Sequence, residues 1–458
     1  MADQTSQNTS LATVAGTFKI IDMNLLTSDG KVYDIRTKFK DLQIFEDIFS
    51  PFITGHMTLV DTSDVIDLFS TNSTDLLQLN IISLGLDESK DQNKINTTFW
   101  IYKRGDRILS AERTVEIKLY FGSLEMMLDT HTSVKHPYIN KPADKVISDI
   151  ITKYYYTDKS NIDKKLQKKL ITNTNKNKNS RNVTFVSNLW KASKCFTYCQ
   201  NHSIDDSGDA TYFFFENKGG FNFLNFTDMV QLSTIQGKIV PSFILIDSNF
   251  TADSAPSAGG GVKVDFNPEM DSKIITGSRR VGQLDALKMF DEGGLKMGLH
   301  SFDLLKRNYS YTESTPIDVL PKNPLLNDIY PFDPVFISNI DSVHTCVASE
   351  FDLLDNTTDS SSNVTIIAPR NISIANFMNN SLELDLMGRT DYTVGQIIQV
   401  ELTRKITINK GDPESKYKDF KYSGMYICSA IAHKFDLSNK HTVTLELCRD
   451  GILSKPGT

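Results

Sequence analysis

The chain has 458 residues, 40% of them apolar and 23% charged, with a formal net charge of −7. At about 150 residues per domain this length implies roughly three domains, and the composition is that of an ordinary globular protein. The acidic balance excludes a protein that binds nucleic acid over its whole surface, because that task needs a basic face against phosphate.

Residues 1–16 are small and polar and read as a flexible arm. They have no basic start followed by an apolar run, so no secretory leader is expected. No stretch approaches the roughly 18 apolar residues of a transmembrane helix, so none is expected. The first strand runs from Phe18 to Leu26. Ser28-Asp29-Gly30-Lys31 is a tight turn, with Asp-Gly supplying positive φ, and Val32 to Ile35 returns. The stretch from Phe39 to Phe69 then gives two strand-like halves around a pivot. Leu42 to Phe49 stops at Ser50-Pro51, because proline fixes its own φ and donates nothing to a ladder. Ile53 to Val60 alternates, with Ile53, Gly55, Met57 and Leu59 on one face. Asp61 to Asp64 supply capping side chains for a short helix, Val65 to Phe69. Strands Leu76–Leu84, Thr97–Lys103 and Thr114–Phe121 complete an antiparallel sandwich or barrel from about 17 to 121.

The period changes near 122. Gly122 to Leu128 and Pro142 to Tyr155 have helical spacing, with Pro142 in a tolerated first-turn position. Lys164 to Lys178 is lysine-rich and reads as a solvated loop. Phe185 to Cys195 reads as an amphipathic helix. Asp205 to Asp209 resembles half a calcium loop but lacks the downstream glutamate, and reads as a turn. Thr211 to Phe226 is an aromatic hairpin around Asn217-Lys218-Gly219-Gly220 whose rings suit core packing better than base stacking. The region 122–235 is therefore α+β.

Ala252 to Gly261 is a flexible linker; no Lys-Ser/Thr follows its glycines, as a phosphate loop requires. Gly277 to Gly298 reads as a connecting helix, Phe302 to Tyr311 as extended chain, and 312–365 as long proline-rich loops. Asn371 to Phe377 suits helix or strand. Ser381–Met387, Gln396–Leu402, Gly424–Phe435 and Thr442–Asp450 are strands of a second antiparallel barrel or sandwich.

No catalytic, cofactor-binding or metal residues are selected by the sequence. Of five cysteines, Cys195 and Cys199 share a helical spacing, but only His202 lies nearby, short of a zinc set. The eight histidines are scattered, with no HExxH spacing, no GxSxG elbow and no Rossmann fingerprint. Glu46 and Asp47 are strand neighbours and point to opposite faces. A muralytic glycosidase needs two carboxylates across a cleft, and nothing selects such a pair. Asn-X-Ser/Thr triplets, as at Asn72, Asn96, Asn182, Asn249 and Asn371, read as composition.

Leu42-Gln43-Ile44-Phe45-Glu46-Asp47-Ile48-Phe49-Ser50-Pro51-Phe52-Ile53-Thr54-Gly55, followed by Val60-Asp61-Thr62-Ser63, resembles the N-terminal signature of the baseplate hub protein of contractile-tailed bacteriophages. Leu382-Glu383-Leu384-Asp385-Leu386-Met387-Gly388-Arg389-Thr390 with Val394-Gly395-Gln396-Ile397-Ile398 resembles its closing strands. So do Ser423-Gly424-Met425-Tyr426-Ile427, Ala432-His433-Lys434-Phe435 and the ending Leu445 to Gly451. The resemblance implies a mainly β fold with an α+β middle region: two antiparallel tail-tube-like β-barrels plus an inserted α+β domain. The boundaries expected are 1–16 for the arm, 17–121 for the first barrel, 122–235 for the α+β domain, 236–450 for the second barrel with a loop-rich insertion at about 252–370, and 451–458 for a tail.

The resemblance further implies a structural virion protein and no enzyme. Three chains form a ring that joins a hexameric tail tube to a trimeric central spike and encloses the tail channel. Implied partners are two further copies, the spike, the tube or tube-initiator proteins and a tape-measure protein in the channel. No cofactor, no sequence-specific nucleic-acid binding and no transmembrane segment are implied. The location implied is the virion tail baseplate, assembled in the host cytoplasm. The alternatives are a tail-associated peptidoglycan hydrolase, or a receptor- or polysaccharide-binding tail protein using the hairpin 211–226. The resemblance also places Phe45, Ile48, Phe52 and Leu59 inside the first barrel.

Overall fold

A computed structural model describes residues 15–61, 75–111, 114–157, 162–172, 182–247, 273–281, 286–303, 307–320, 333–348, 361–404 and 418–451. The expected helix Val65 to Phe69, the linker Ala252 to Gly261, and nearly all of the N-terminal arm and C-terminal tail lie outside the described residues. The chain is mainly β.

Seven strands come first: β1 (Phe18–Leu26), β2 (Val32–Asp34), β3 (Phe39–Asp47), β4 (Thr54–Asp61), β5 (Leu76–Ser83), β6 (Lys94–Ala111) and β7 (Thr114–Ser123). They pair in the order β2-β1-β5-β6-β7-β4-β3. Alternation decides what they bury. Along β4 the inward side chains Met57 and Leu59 meet Leu119, Ile117 and Phe121 of β7 in one core. Gly55 is required there, since a Cβ would stand 2.5 Å from the Phe121 ring.

The middle region follows: α1 (Leu124–His131), β8 (Val134–Pro142), α2 (Ala143–Ile150), β9 (Leu170–Thr172), β10 (Asn182–Trp190), α3 (Ala192–Asn201), β11 (Phe213–Asn217), β12 (Gly220–Leu224) and α4 (Phe226–Leu232). Helix α2 buries Ala143, Val146, Ile147 and Ile150, the stripe its spacing predicts, and continues as a π-helical turn, Ile151–Tyr155. The aromatic hairpin is β11–β12, and its phenylalanines are buried. The segment expected as one helix from Phe185 to Cys195 is instead strand then helix. Its true period up to Trp190 is two: Val183, Phe185 and Ser187 are buried with Val186 exposed between them, and β8 supplies the ladder.

A short hairpin, β13 (Thr234–Ile235) and β14 (Lys238–Ile239), leads to β15 (Phe243–Asp247) and β16 (Ile274–Val281). Thus the first part of the expected connecting helix 277–298 is strand, and helix α5 (Ala286–Asp291) occupies only its middle. Then come β17 (Met297–Asp303), β18 (Asn308–Ser314), α6 (Pro316–Val319), α7 (Pro334–Asn339), β19 (Val343–Ala348) and α8 (Ser361–Asn379). The segment 312–365, expected as loops, therefore holds α6, α7, the start of α8 and strand β19, which joins a β18-β17-β19 sheet. Its prolines misled the reading because Pro316 and Pro334 open helices, capped by Thr315 and Asp333.

The last strands are β20 (Ser381–Met387), β21 (Ile397–Glu401), β22 (Gly424–Asp436) and β23 (His441–Cys448). Strands β22-β21-β15-β16-β20-β23 form a closed six-stranded barrel, sealed by β22–β23 pairing. The ladders that β15 makes with β16 and β21 are parallel; the others are antiparallel. Strand β22 joins the first seven strands and the barrel into one 13-stranded sheet. Gly424 to Ile427 pair with β21, and Ala430 to Asp436 pair on the same edge with β3. At the hairpin tip, Lys440 bridges Thr17 and His441 N–H donates to Gly16 O at 2.6 Å. The tip thereby fills the gap between β3 and β1, and Phe435 joins the first core. Among the described residues no helix is long and apolar enough to cross a membrane.

The pivot stretch spans three cores. Leu59 packs in the first barrel as expected. Ile48 packs in the second, because the chain leaves β3 beside β22, with Ile48 N–H on Ser429 O. Phe52, past the turn at Pro51, packs in the middle region. Phe45 faces away from Ile44 and is half-buried beside His56.

Candidate inter-barrel junction

Loop 388–395 joins β20 to β21. Its end glycines have steric reasons. A Cβ on Gly388 would stand 2.3 Å from the His441 ring, and Gly395 has φ +83°. Between them Thr390, Thr393 and Val394 find distant partners. Thr390 N–H donates to Ser83 Oγ at 3.0 Å, its Oγ1 donates to Asn93 O at 2.6 Å, and Ser83 N–H donates back to Thr390 Oγ1 at 3.0 Å. Thr393 Oγ1 and Val394 N–H donate to Glu46 Oε2 at 2.7 and 3.2 Å. Lys218 Nζ, from the β11–β12 turn, donates to Thr390 O at 2.7 Å. Arg389 grips Asp391 through Nε and Nη2 at 2.9 and 2.6 Å. One loop of the second barrel thus holds the first barrel and the aromatic hairpin together.

The charges are almost dry. Burial raises the Glu46 carboxyl above its usual range, offset in part by Thr393, Lys218 and Val394. Burial pulls Lys218 down to about 8, offset in part by Glu46 and Asp391. Each charge is part of the other's compensation, so removing one raises the cost of burying the second.

Two histidines lie under the same loop. His433 Nδ1 is 3.1 Å from His441 Nε2, and His441 Nδ1 is 3.4 Å from Ser83 Oγ. Phe435 stacks on His441 at 4.1 Å. Burial, with Lys218 nearby, pulls His433 down to about 3, and burial with His433 pulls His441 well below its usual value. Both rings are neutral at neutral pH. His433 Nε2 is buried and has no hydrogen-bond partner among the described residues. The Ser83–His441 contact has the outline of a nucleophile and base, but the pair is 4% and 0% exposed, and Ser83 Oγ already accepts from Thr390. The arrangement holds elements together and admits no substrate.

Cys195 and Cys199 are buried on α3, and burial raises both thiols. Among the described residues no three His, Cys, Asp or Glu side chains are placed to hold a metal. Asp205 and Asp209 form a turn, and Asp209 also receives Thr227 N–H and Oγ1 at the start of α4. Lys168, expected in a solvated loop, instead contacts two wholly buried carboxylates, Glu125 and Glu216. The sequence reading missed Glu46, Lys168, Glu216, Lys218, His433 and His441. For Glu46, Glu216 and His433 the available signal was an ionisable residue inside an apolar run, as in LQIFEDIF, FFFEN and AIAHKF.

No family model matches the chain, and no curated protein matches it. Solved structures do. A tail protein from Neisseria meningitidis MC58 is 9% identical with a TM-score of 0.53, over 95% of this chain and 98% of its own. A 43 kDa tail protein of prophage MuSo2 from Shewanella oneidensis is 10% identical with a TM-score of 0.50, over 94% and 99%. At such identity the likeness is one of fold, and it runs nearly end to end: this chain has the β-rich fold of tail proteins.

Proposed function

We propose that the chain is the baseplate hub of a contractile tail, a structural protein without catalytic activity. Three copies form a ring that adapts a hexameric tail tube to a trimeric spike and encloses the channel. The observation that carries this reading is the junction. The two motifs that resemble the hub signature, around Glu46 and around loop 388–395, lie about 350 residues apart in the chain and meet through Thr393 and Glu46. Two barrel-like units per chain give six units in a trimer, the number a sixfold tube presents. The end-to-end likeness to two tail proteins supports the same reading. The polysaccharide-binding alternative loses its proposed surface, since the rings of β11–β12 are buried.

Light scattering of the purified chain, alone and mixed with a trimeric spike protein from the same tail, tests the proposal. Trimers or trimer–spike complexes are expected. A stable monomer that never joins a trimeric spike overturns it.

A further inference from the structure

The contact of Lys168 with Glu125 and Glu216 has the parts of a self-forming amide bond. Lys168 lies two residues before the edge strand β9, Glu216 lies on β11, and β12 runs between them. Lys168 Nζ stands 2.6 Å from Glu216 Oε1 and 2.5 Å from Glu125 Oε2. Both carboxylates are 0% exposed, and the lysine side chain keeps 15% of its surface. The Phe221 ring centroid lies 5.8 Å from Nζ. Ile53 N–H donates to the other Glu216 oxygen, Oε2, at 3.1 Å. Tyr156 O–H donates to Glu125 Oε1 at 2.7 Å and so fixes that carboxylate. One ammonium between two buried carboxylates leaves a net negative charge out of water, a costly state.

We propose that Lys168 and Glu216 join in an intramolecular isopeptide bond, with Glu125 as the proton carrier. A proton moves from Nζ to Glu216 Oε1, giving an amine and a carboxylic acid. The amine nitrogen attacks Glu216 Cδ, and Ile53 N–H holds Oε2 as negative charge develops there. Glu125 takes the second proton from the nitrogen and passes it to Oε1, which leaves as water. The nitrogen keeps one hydrogen, Glu125 returns to its starting state, and no oxidant or cofactor is consumed. In the ground state the lysine holds its proton: burial favours losing it, but Glu216 and Glu125 together raise its pKa. Burial raises the Glu216 carboxyl as well, which favours the acid form that the step needs. Fixed geometry supplies the driving force that free amines and acids lack, since effective concentrations of well-placed groups reach about 10⁵–10⁸ M. The product replaces a buried ion pair by an amide and ties the three-residue strand β9 to β11.

The test is the intact mass of the purified, folded, full-length chain. The expected mass is lower than the sequence mass by one water, with fragmentation placing the loss on linked peptides that contain Lys168 and Glu216. Glu125→Ala is expected to restore the full mass. A wild-type mass equal to the sequence mass overturns the proposal, as does a water loss mapped to other residues. Full cross-linking in the Glu125→Ala chain overturns the role of Glu125. The wild-type measurement decides the bond even if that variant fails to fold.

Discussion

Acid should weaken this protein through one pair of side chains, His433 and His441. Both are neutral in the folded chain because burial depresses them, His433 to about 3 and His441 well below the usual value. In the unfolded chain each titrates near 6.5. A depressed folded pKa contributes stability that is whole above the unfolded value and is lost as pH falls towards the folded one. Between about pH 7 and pH 5 the unfolded state gains about 0.7 proton at each ring and the folded state almost none. Linkage then gives a loss of about 2 kcal/mol per histidine, or about 4 kcal/mol for the pair. Glu46, whose carboxyl burial raises, acts with the opposite sign, so the raw pH profile mixes both effects. The double variant His433→Gln, His441→Asn separates them. Urea unfolding of both chains at both pH values is the assay. The wild type should lose about 4 kcal/mol more than the variant over the interval. Equal losses in the two chains refute the claim that the rings stay neutral when folded.

Two further outcomes are expected. Glu46→Ala leaves Thr393 Oγ1 and Val394 N–H without their acceptor and Lys218 without one of its two compensating charges, and should cost about 3–5 kcal/mol in chemical unfolding. Glu46→Gln keeps an acceptor and should cost clearly less; identical costs would show that the carboxylate's hydrogen bonds do not matter. Phe52→Asp places a charge in the middle-region core and should abolish the soluble trimer proposed above, whereas Pro51→Ala should reduce its yield only slightly. Equal effects on trimer yield would mean that the pivot is not packed.

What was legible in the sequence was local. Ser381 to Met387 alternates apolar and polar residues, and β20 alternates buried and half-buried ones. Asp29-Gly30 announces a turn, and Gly30 has φ +81°. The stretch around Phe185 was misread because aromatic and β-branched residues interleaved with Ser, Asn and Lys satisfy both periods over a few residues. Only β8, some 45 residues earlier, settles which one wins. The junction was illegible for a stronger reason. Ser83 and Thr390 are 307 residues apart, and Glu46 and Thr393 are 347 apart. Periodicity reports which face of an element is buried, never which remote element covers it. Lys168 shows the same limit: lysine density argued for solvent, and two distant glutamates decided otherwise.

The pairing of β22 with both β3 and the barrel strands also governs how the chain is made. Strand β3 ends at Asp47 and its partner β22 begins at Gly424, so 376 residues lie between them. At ordinary translation rates of about 5–20 residues per second, the first seven strands wait on the order of tens of seconds for the hairpin that fills their gap. Until then β3 and β1 present open edges, and Phe435 is missing from their core. A ribosome that stalls before Gly424 therefore releases a chain whose earliest-made barrel is unsealed. Completion of the first unit becomes a report that the last strands have been synthesised.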